Sequence, residues 1–153
     1  MKILLVYPQY SESFWSFKYA LKFIGLKAAL PPLGLLSIAA LLPQEWEKKL
    51  VDMNVRKLKD ADLKWADYVM ISAMSIQQHS VREVIARCKE LGVRTIAGGP
   101  LFTAEPEKFD AVDHLILNEG ELTLPVFLED LEKGCPQHIY TTAERPSLEK
   151  TPV

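Results

Sequence analysis

Short polar and glycine-containing segments follow several apolar runs of this sequence, and their residue types suit the binding of a ligand. Residues 72–75 include two serines whose hydroxyl groups can donate to a ligand or cap the next helix. Gly98, Gly99 and Pro100 follow in sequence, and paired glycines let the backbone approach a bulky flat ligand or adopt a positive φ. Residues 118–121 bring two carboxylates to a helix start, where they also complement the helix dipole. These segments predict a ligand-binding site at the ends of the apolar runs.

Several common kinds of site are excluded by motifs that the sequence lacks. No G-x-G-x-x-G follows the first apolar run and no G-x-x-x-x-G-K-[ST] occurs, which argues against a dinucleotide site and a phosphate loop. No aspartate ends the third predicted strand, as a phospho-acceptor receiver domain requires. The histidines His79, His114 and His138 are scattered, and neither cysteine has a partner at ligand spacing. No catalytic residue and no metal site is therefore predicted.

Apolar runs alternate with helical periodicity along the chain. Continuous apolar runs predict strands at 3–7, 49–54, 68–74, 93–97 and 112–117. Apolar residues at helical spacing predict helices at 33–42, 79–91 and 121–133. This alternation implies an α/β fold with a doubly wound parallel sheet of five strands and helices on both faces. Ligands bind such sheets at the carboxyl ends of the strands, where the strand order reverses.

Size, charge and cysteine content predict a single cytoplasmic domain. The chain has 153 residues, the usual size of one domain, and 48% of them are hydrophobic. A net charge of −2 argues against non-specific nucleic-acid binding. Two cysteines make no disulfide framework and fit a reducing compartment. No apolar run reaches the roughly 20 residues that a membrane span needs, so none is predicted.

Two segments stand apart from the alternating pattern. Aromatic residues crowd residues 14–23 and occupy two sides of a predicted helix, which therefore needs two partners to cover it. That helix is either buried within this domain or placed between the domain, a bound ligand and a neighbour. The polar residues 141–153, which contain prolines, predict a linker toward a further domain that this chain does not contain.

Four sequence segments together carry a resemblance to a known family. PPLGLLSIAALLP, SAMSIQ, AGGP and LNEGE occur in this order within residues 1–140. The series resembles the N-terminal cobalamin-binding domain of cobalamin-dependent radical S-adenosylmethionine proteins. FWSFKYA and WADYVMISAMSIQ are also similar to a subgroup that includes hopanoid-lipid methylases. The resemblance implies a flavodoxin-like, or Rossmann-like, domain over residues 1–140 that holds cobalamin within a larger enzyme.

The resemblance also implies which residues meet the cofactor at the carboxyl edge of the sheet. Those expected around its nucleotide tail are Ser72, Ala73, Met74, Ser75, Gly98, Gly99 and Pro100. Those expected along the same edge are Asn118, Glu119, Gly120 and Glu121. Those expected beneath the corrin ring are Pro8, Gln9 and Tyr10.

The sequence departs from the cobalamin-binding pattern after the first strand. Many cobalamin domains carry D-x-H-x-x-G there, with the histidine as lower cobalt ligand, whereas this sequence reads PQYSES. We therefore expect cobalt to be held without a protein histidine. Two other functions stay open: a cofactor-free structural domain that packs against the radical domain, and a stand-alone flavodoxin-like module for another small ligand.

The radical chemistry is expected outside this chain. A 4Fe-4S cluster that binds S-adenosylmethionine needs C-x-x-x-C-x-x-C, because three thiolates leave one iron open. Cys88 and Cys135 cannot form this motif. The implied partner is a C-terminal radical S-adenosylmethionine domain of the same polypeptide. The implied reaction is methyl transfer, with ring formation as the alternative, and this chain alone is expected to be non-catalytic.

Overall fold

The computed structural model describes residues 1–11 and 31–144, and its strands pair into one parallel sheet. The short apolar runs of the sequence form these strands. In chain order they are β1 (Lys2–Tyr7), β2 (Glu47–Asp52), β3 (Tyr68–Ser72), β4 (Arg94–Gly98), β5 (His114–Ile116) and β6 (Ile139–Tyr140).

The strand order reverses between β1 and β3. The order across the sheet is β2-β1-β3-β4-β5-β6, and every neighbouring pair is parallel. The chain therefore runs from β1 to one edge, returns to β3 and then proceeds to the other edge. This is the doubly wound, flavodoxin-like arrangement predicted from the sequence. The loops at the carboxyl ends of β1 and β3 diverge at this reversal, which is where such sheets bind ligands.

Helices cover both faces of the sheet. They are α1 (Leu33–Leu41), α2 (Asp60–Trp65), α3 (Gln78–Glu90), α4 (Pro100–Ala104) and α5 (Gly120–Glu132). Leu35 of α1 and Leu124 of α5 belong to the hydrophobic core on one face. Leu63 of α2, Val84 of α3 and Phe102 of α4 belong to the core on the other face. Each face of the sheet is thus removed from water by its own set of helices.

The side chains of β1 explain why a continuous apolar run marks a central strand. Leu4 and Val6 face the core beneath α2, α3 and α4, whereas Ile3, Leu5 and Tyr7 face the core beneath α1 and α5. All five are buried. A strand buried on both faces has no position left for a polar residue.

The sheet differs from the sequence prediction by one strand. The predicted sheet has five strands, but Ile139–Tyr140 pairs with β5 as a sixth. Two residues are too few to show a periodic pattern. The helices Asp60–Trp65 and Pro100–Ala104 are also unpredicted, because each has fewer than two turns. The predicted strands and helices of the described residues begin and end within two residues of the observed bounds.

Some predictions fall outside the part of the chain that the structure describes. The aromatic segment 14–23 lies there, as do residues 145–153 of the predicted linker. Among the helices of residues 1–11 and 31–144, none is long and apolar enough to cross a membrane.

Phe127 anchors α5 to the sheet and provides a test of the fold. Its side chain is fully buried, with ring centroids 5.2 Å from His114 and 5.5 Å from Tyr140. We expect Phe127→Ala to lower the free energy of unfolding by about 3–5 kcal/mol, because it leaves a cavity under the helix. Val126→Ala is the matched control, since Val126 is 51% exposed, and its effect stays within about 0.5 kcal/mol. Equal losses in the two variants, measured by urea denaturation, would contradict this packing.

Candidate functional site

A cleft opens at the carboxyl edge of the sheet, on the face covered by α1 and α5. Its volume is about 190 Å³. One wall is α1, the opposite wall is the start of α5, and the carboxyl halves of β3, β4 and β5 form the floor. The residues that line it are Gly34, Leu35, Ile38, Met70, Ile71, Ser72, Ile96, Ala97, Gly98, Gly99, Pro100, Ile116, Asn118, Gly120, Glu121 and Leu124.

Gly98 is required by the close packing of β4 against β5. A Cβ atom at this position would lie 2.6 Å from the backbone oxygen of Ile116. Real Cβ atoms do not approach a backbone oxygen so closely, so a side chain here would push the two strands apart. The fold itself therefore explains this glycine.

Gly99 is required by its backbone conformation. Its φ is +95°, which L-residues with a side chain rarely adopt, and a Cβ would lie 2.9 Å from Oγ of Ser72. This residue turns the chain from β4 into α4. The glycine pair thus shapes the mouth of the cleft before any ligand is considered.

The two helical walls meet at a third glycine. A Cβ on Gly120 would lie 2.5 Å from Cδ1 of Ile38, so the Ile38 side chain packs directly against the start of α5. Gly34 stands one turn before Ile38 on the same side of α1. No atom of the residues that the structure describes lies within 4 Å of the position that its Cβ would take. The cleft is closed at Ile38 and open at Gly34.

Asn118 joins the mouth of the cleft to the chain that follows β6. Its φ is +60°, a conformation that asparagine tolerates better than most residues. Its side-chain amide donates to Oγ1 of Thr141 at 2.9 Å and to the carbonyl oxygen of Thr142 at 2.8 Å. Its backbone N–H donates to Oγ1 of Thr103 at 3.0 Å. The residues after β6 are thereby held beside the cleft.

The loop after β1 is held by side chains from other elements. Gln77 is fully buried, and its Nε2 donates to the carbonyl oxygen of Pro8 at 2.5 Å while its Oε1 accepts from the N–H of Met74 at 2.8 Å. The N–H of Gln9 donates to Oγ of Ser80 at 3.0 Å. Gln77 thus connects the loops after β1 and β3, at the point where the strand order reverses.

The tyrosines at the end of β1 form a hydroxyl pair. The Tyr7 and Tyr10 oxygens are 2.6 Å apart, and the two rings meet edge to face at 5.8 Å. Burial, followed by the contact with Tyr10, holds the pKa of Tyr7 well above its usual range. Tyr7 therefore stays protonated and acts as a hydrogen-bonding group only.

A sequence model of the B12-binding domain family matches residues 24–128, more than half of this chain. The chain belongs to the B12-binding domain family. Its predicted resemblance to a cobalamin-binding domain is confirmed, since B12 is cobalamin.

Curated relatives of this B12-binding domain are methyltransferases by name. An uncharacterized methyltransferase of Synechocystis is 44% identical over 155 residues, which cover 100% of this chain and 29% of the relative. The hopanoid C-2 methylase of Rhodopseudomonas palustris is 33% identical over 157 residues, covering 99% of this chain and 30% of that protein. An uncharacterized methyltransferase of Pyrococcus horikoshii is 30% identical over 146 residues, covering 88% and 30% respectively. The chain thus spans about 30% of the length of these relatives.

The B12-binding domain brings half of the predicted site residues into the cleft. Those that line it are Ser72, Gly98, Gly99, Pro100, Asn118, Gly120 and Glu121. Those that lie at the same edge without lining it are Pro8, Gln9, Tyr10, Ala73, Met74, Ser75 and Glu119. Ala73 is buried and its carbonyl oxygen accepts from the N–H of Leu101, whereas the side chain of Met74 is exposed.

The sequence prediction missed the helical walls and the apolar floor. The missed lining residues are Gly34, Leu35, Ile38, Met70, Ile71, Ile96, Ala97, Ile116 and Leu124. The segment PPLGLLSIAALLP, which is apolar nearly all round, is the one signal that could have indicated the α1 wall.

The histidines of the B12-binding domain contact backbone carbonyl groups or a carboxylate, and Cys88 is buried. His114 Nδ1 lies 2.6 Å from the carbonyl oxygen of Gln137, and His138 Nδ1 lies 3.1 Å from that of Asp113. His79 is exposed beside Glu83 on α3. Burial raises the pKa of the Cys88 thiol to about 11. Within the described ranges, no group of three or more His, Cys, Asp or Glu residues could hold a metal ion.

Gly98 and Gly34 provide a matched pair of alanine substitutions. We expect Gly98→Ala to destabilise the B12-binding domain by about 1–3 kcal/mol without any ligand, because the new methyl group meets the Ile116 backbone. Gly34→Ala has open space and a helical backbone, so stability should be unchanged or rise by up to about 1 kcal/mol. Thermal denaturation of the two variants measures this. A Gly98→Ala variant as stable as the parent would show that the β4–β5 packing is looser than described.

Proposed function

We propose that this chain is the cobalamin-binding module of a longer radical S-adenosylmethionine enzyme that transfers a methyl group. The observation that carries the proposal is the preformed cleft at the carboxyl edge of a B12-binding domain. The names of the three relatives support methyl transfer as the reaction. S-adenosylmethionine and a 4Fe-4S cluster would be held by the C-terminal part of that enzyme, because Cys88 and Cys135 cannot supply a cluster motif.

The size of the cleft fits one part of the cofactor. A volume of about 190 Å³ is below the roughly 300–1,000 Å³ of pockets that enclose a drug-sized ligand. It exceeds the roughly 150 Å³ of an engineered cavity that binds benzene. The nucleotide tail of cobalamin ends in an aromatic base, so we assign the cleft to that base and its sugar.

The rim of the cleft fits a larger apolar group. Met74 and Ile76 follow β3 at this edge and are 49% and 43% exposed. Pro100 is exposed at the start of the neighbouring helix α4. Exposed apolar side chains at the edge of the sheet that carries a pocket suit a surface that a ligand covers. We assign this rim, with Pro8, Gln9 and Tyr10 alongside it, to the corrin ring.

The chain's share in the chemistry would be to hold and orient the cofactor. Cobalamin supplies a cobalt atom that can carry a methyl group. The cleft fixes the tail, the hydrogen-bonded loop after β1 gives the ring a rigid edge, and the apolar rim excludes water from one side. No side chain of this domain needs to move a proton.

We further propose that the cobalt has no histidine ligand from this domain. His114 begins β5 and His138 precedes β6, so both lie at the amino ends of strands, opposite the cleft. His79 lies in the first turn of α3. Its imidazole Nδ1 is 3.6 Å from Oε1 of Glu83, and Glu83 lies one turn farther from the carboxyl edge.

The proposed domain covers residues 1–140, and residues 141–153 would link it to the radical domain. Asn118 supports this assignment, because it binds Thr141 and Thr142 beside the cleft. The linker would then leave from the edge of the sheet that carries the cofactor.

Titration with hydroxocobalamin tests the proposed function. We expect saturable one-to-one binding to the natural polypeptide that carries this chain, measured by equilibrium dialysis. Gly34→Trp should weaken binding at least about tenfold, because the indole enters the open part of the cleft, an effect of about 1.4 kcal/mol.

The matched control for this titration is Ala40→Trp. Ala40 is on the same helix, is exposed and does not line the cleft. It should change the dissociation constant less than about twofold, or 0.4 kcal/mol. Equal weakening by both variants would show that the cofactor does not use the cleft. Failure of the parent polypeptide to bind would favour the cofactor-free structural role.

Electron paramagnetic resonance of the bound cob(II)alamin tests the coordination of cobalt. We expect a spectrum without nitrogen superhyperfine splitting, because the base lies in the cleft and no histidine reaches the cobalt. A triplet splitting from one nitrogen would contradict the proposal. If that splitting disappears in His79→Gln, the ligand is His79; if it persists, the nitrogen comes from the base or from the rest of the polypeptide.

A further inference from the structure

The polarity of the cleft changes from its mouth to its floor. Ser72, Asn118 and Glu121 stand at the mouth, where β3 ends and the chain has left β5. Deeper along the strands the side chains are aliphatic or thioether groups. Those of the floor and inner walls are Leu35, Ile38, Met70, Ile96, Ile116 and Leu124.

The backbone of the floor adds no free hydrogen-bonding groups. Met70 of β3 pairs with Ile96 of β4, and Ile96 pairs in turn with His114 of β5. These residues lie in the middle of a parallel ladder, where N–H and C=O groups bond to the neighbouring strands. Among the described residues, the inner cleft therefore presents no polar side chain, and the peptide groups of Met70 and Ile96 at its floor are paired.

We infer that this cleft selects the lower base of the corrinoid, and that it takes dimethylbenzimidazole in preference to adenine. The inference rests on the proposed function, since it assigns a specificity to the same cleft. Its basis is the apolar floor, which makes favourable contacts with methyl groups and has no hydrogen-bond partner for a ring nitrogen or an amine.

The two bases differ in the groups that they would place at the floor. Dimethylbenzimidazole presents a benzo ring with two methyl groups. Adenine presents an exocyclic amine and additional ring nitrogens in the same region. A buried polar group without a partner costs on the order of a tenfold loss in affinity or more. The methyl groups also gain from contact with Met70, Ile96 and Leu124.

Competition between corrinoids tests this inference without a measurement of enzyme activity. The natural polypeptide that carries this chain is dialysed to equilibrium against equal concentrations of cobalamin and its adenine-base analogue. The bound fraction is then quantified by chromatography. We expect the dissociation constant of the adenine form to be at least about tenfold higher. A parallel titration uses cobinamide, which lacks the base altogether and should bind more weakly than cobalamin.

Each outcome separates the specificity from the proposed function. Tight but equal binding of both complete corrinoids would preserve the cofactor function and overturn the base selectivity. Tighter binding of the adenine form would also preserve the cofactor function and overturn the base selectivity. Equal affinity for cobinamide and cobalamin would remove the base from the cleft. No binding of any corrinoid would overturn both proposals.

A pair of substitutions at Ile38, on the inner wall formed by α1, tests the apolar character of the cleft. Ile38→Val and Ile38→Thr remove the same volume, but only threonine adds a hydroxyl group to the inner cleft. We expect the preference for cobalamin to be smaller in the Thr variant than in the Val variant by about threefold or more, because the hydroxyl can bond to adenine. The same preference in both variants would contradict the assignment to the apolar floor. Cobinamide affinity serves as the control for intact folding.

Discussion

The contact between Ile38 on α1 and Gly120 at the start of α5 is the constraint on which the cleft depends. These two helices cover one face of the sheet, and the Ile38 side chain occupies the space that a Cβ on Gly120 would take. The contact brings the helices together and leaves the carboxyl halves of β3, β4 and β5 uncovered beyond it. The other helices, α2, α3 and α4, cover the opposite face. The cleft therefore lies between the only two helices that the described residues place on this face.

The other half of the carboxyl edge is fixed by hydrogen bonds. The uncharged Gln77 side chain is buried and makes hydrogen bonds to backbone groups of two loops. These bonds compensate for the bonds to water that its amide loses. Asn54 adds a second link, because its Oδ1 accepts from the N–H of Tyr10 at 2.9 Å. These bonds fix the loop after β1 against the loop after β3, and the second loop carries the exposed Met74 and Ile76. The edge thus combines a rigid polar base with an apolar upper surface.

The sequence predicted the sheet well because buried parallel strands leave a local signal. The run at 3–7 is apolar throughout since Leu4 and Leu5 face different cores. The site was half predictable for the same reason, because residues after successive strands must meet at one edge. The α1 wall was missed because the sequence of a helix that is apolar nearly all round does not indicate which of its sides faces the cleft. The role of Gly98 depends on Ile116, a contact that no local pattern contains.

The three glycines of the cleft show that its shape is explained by the fold and does not depend on a bound ligand. Gly98 is explained by a neighbouring strand, Gly99 by its positive φ and Gly120 by the Ile38 side chain. None of these reasons involves a ligand, so the cleft has its form before anything binds. A preformed site avoids the cost of ordering loops on association, and affinity then depends on the fit between floor and ligand. Selection by the aliphatic floor follows from this, since rigid walls cannot rearrange to offer a polar group to the wrong base.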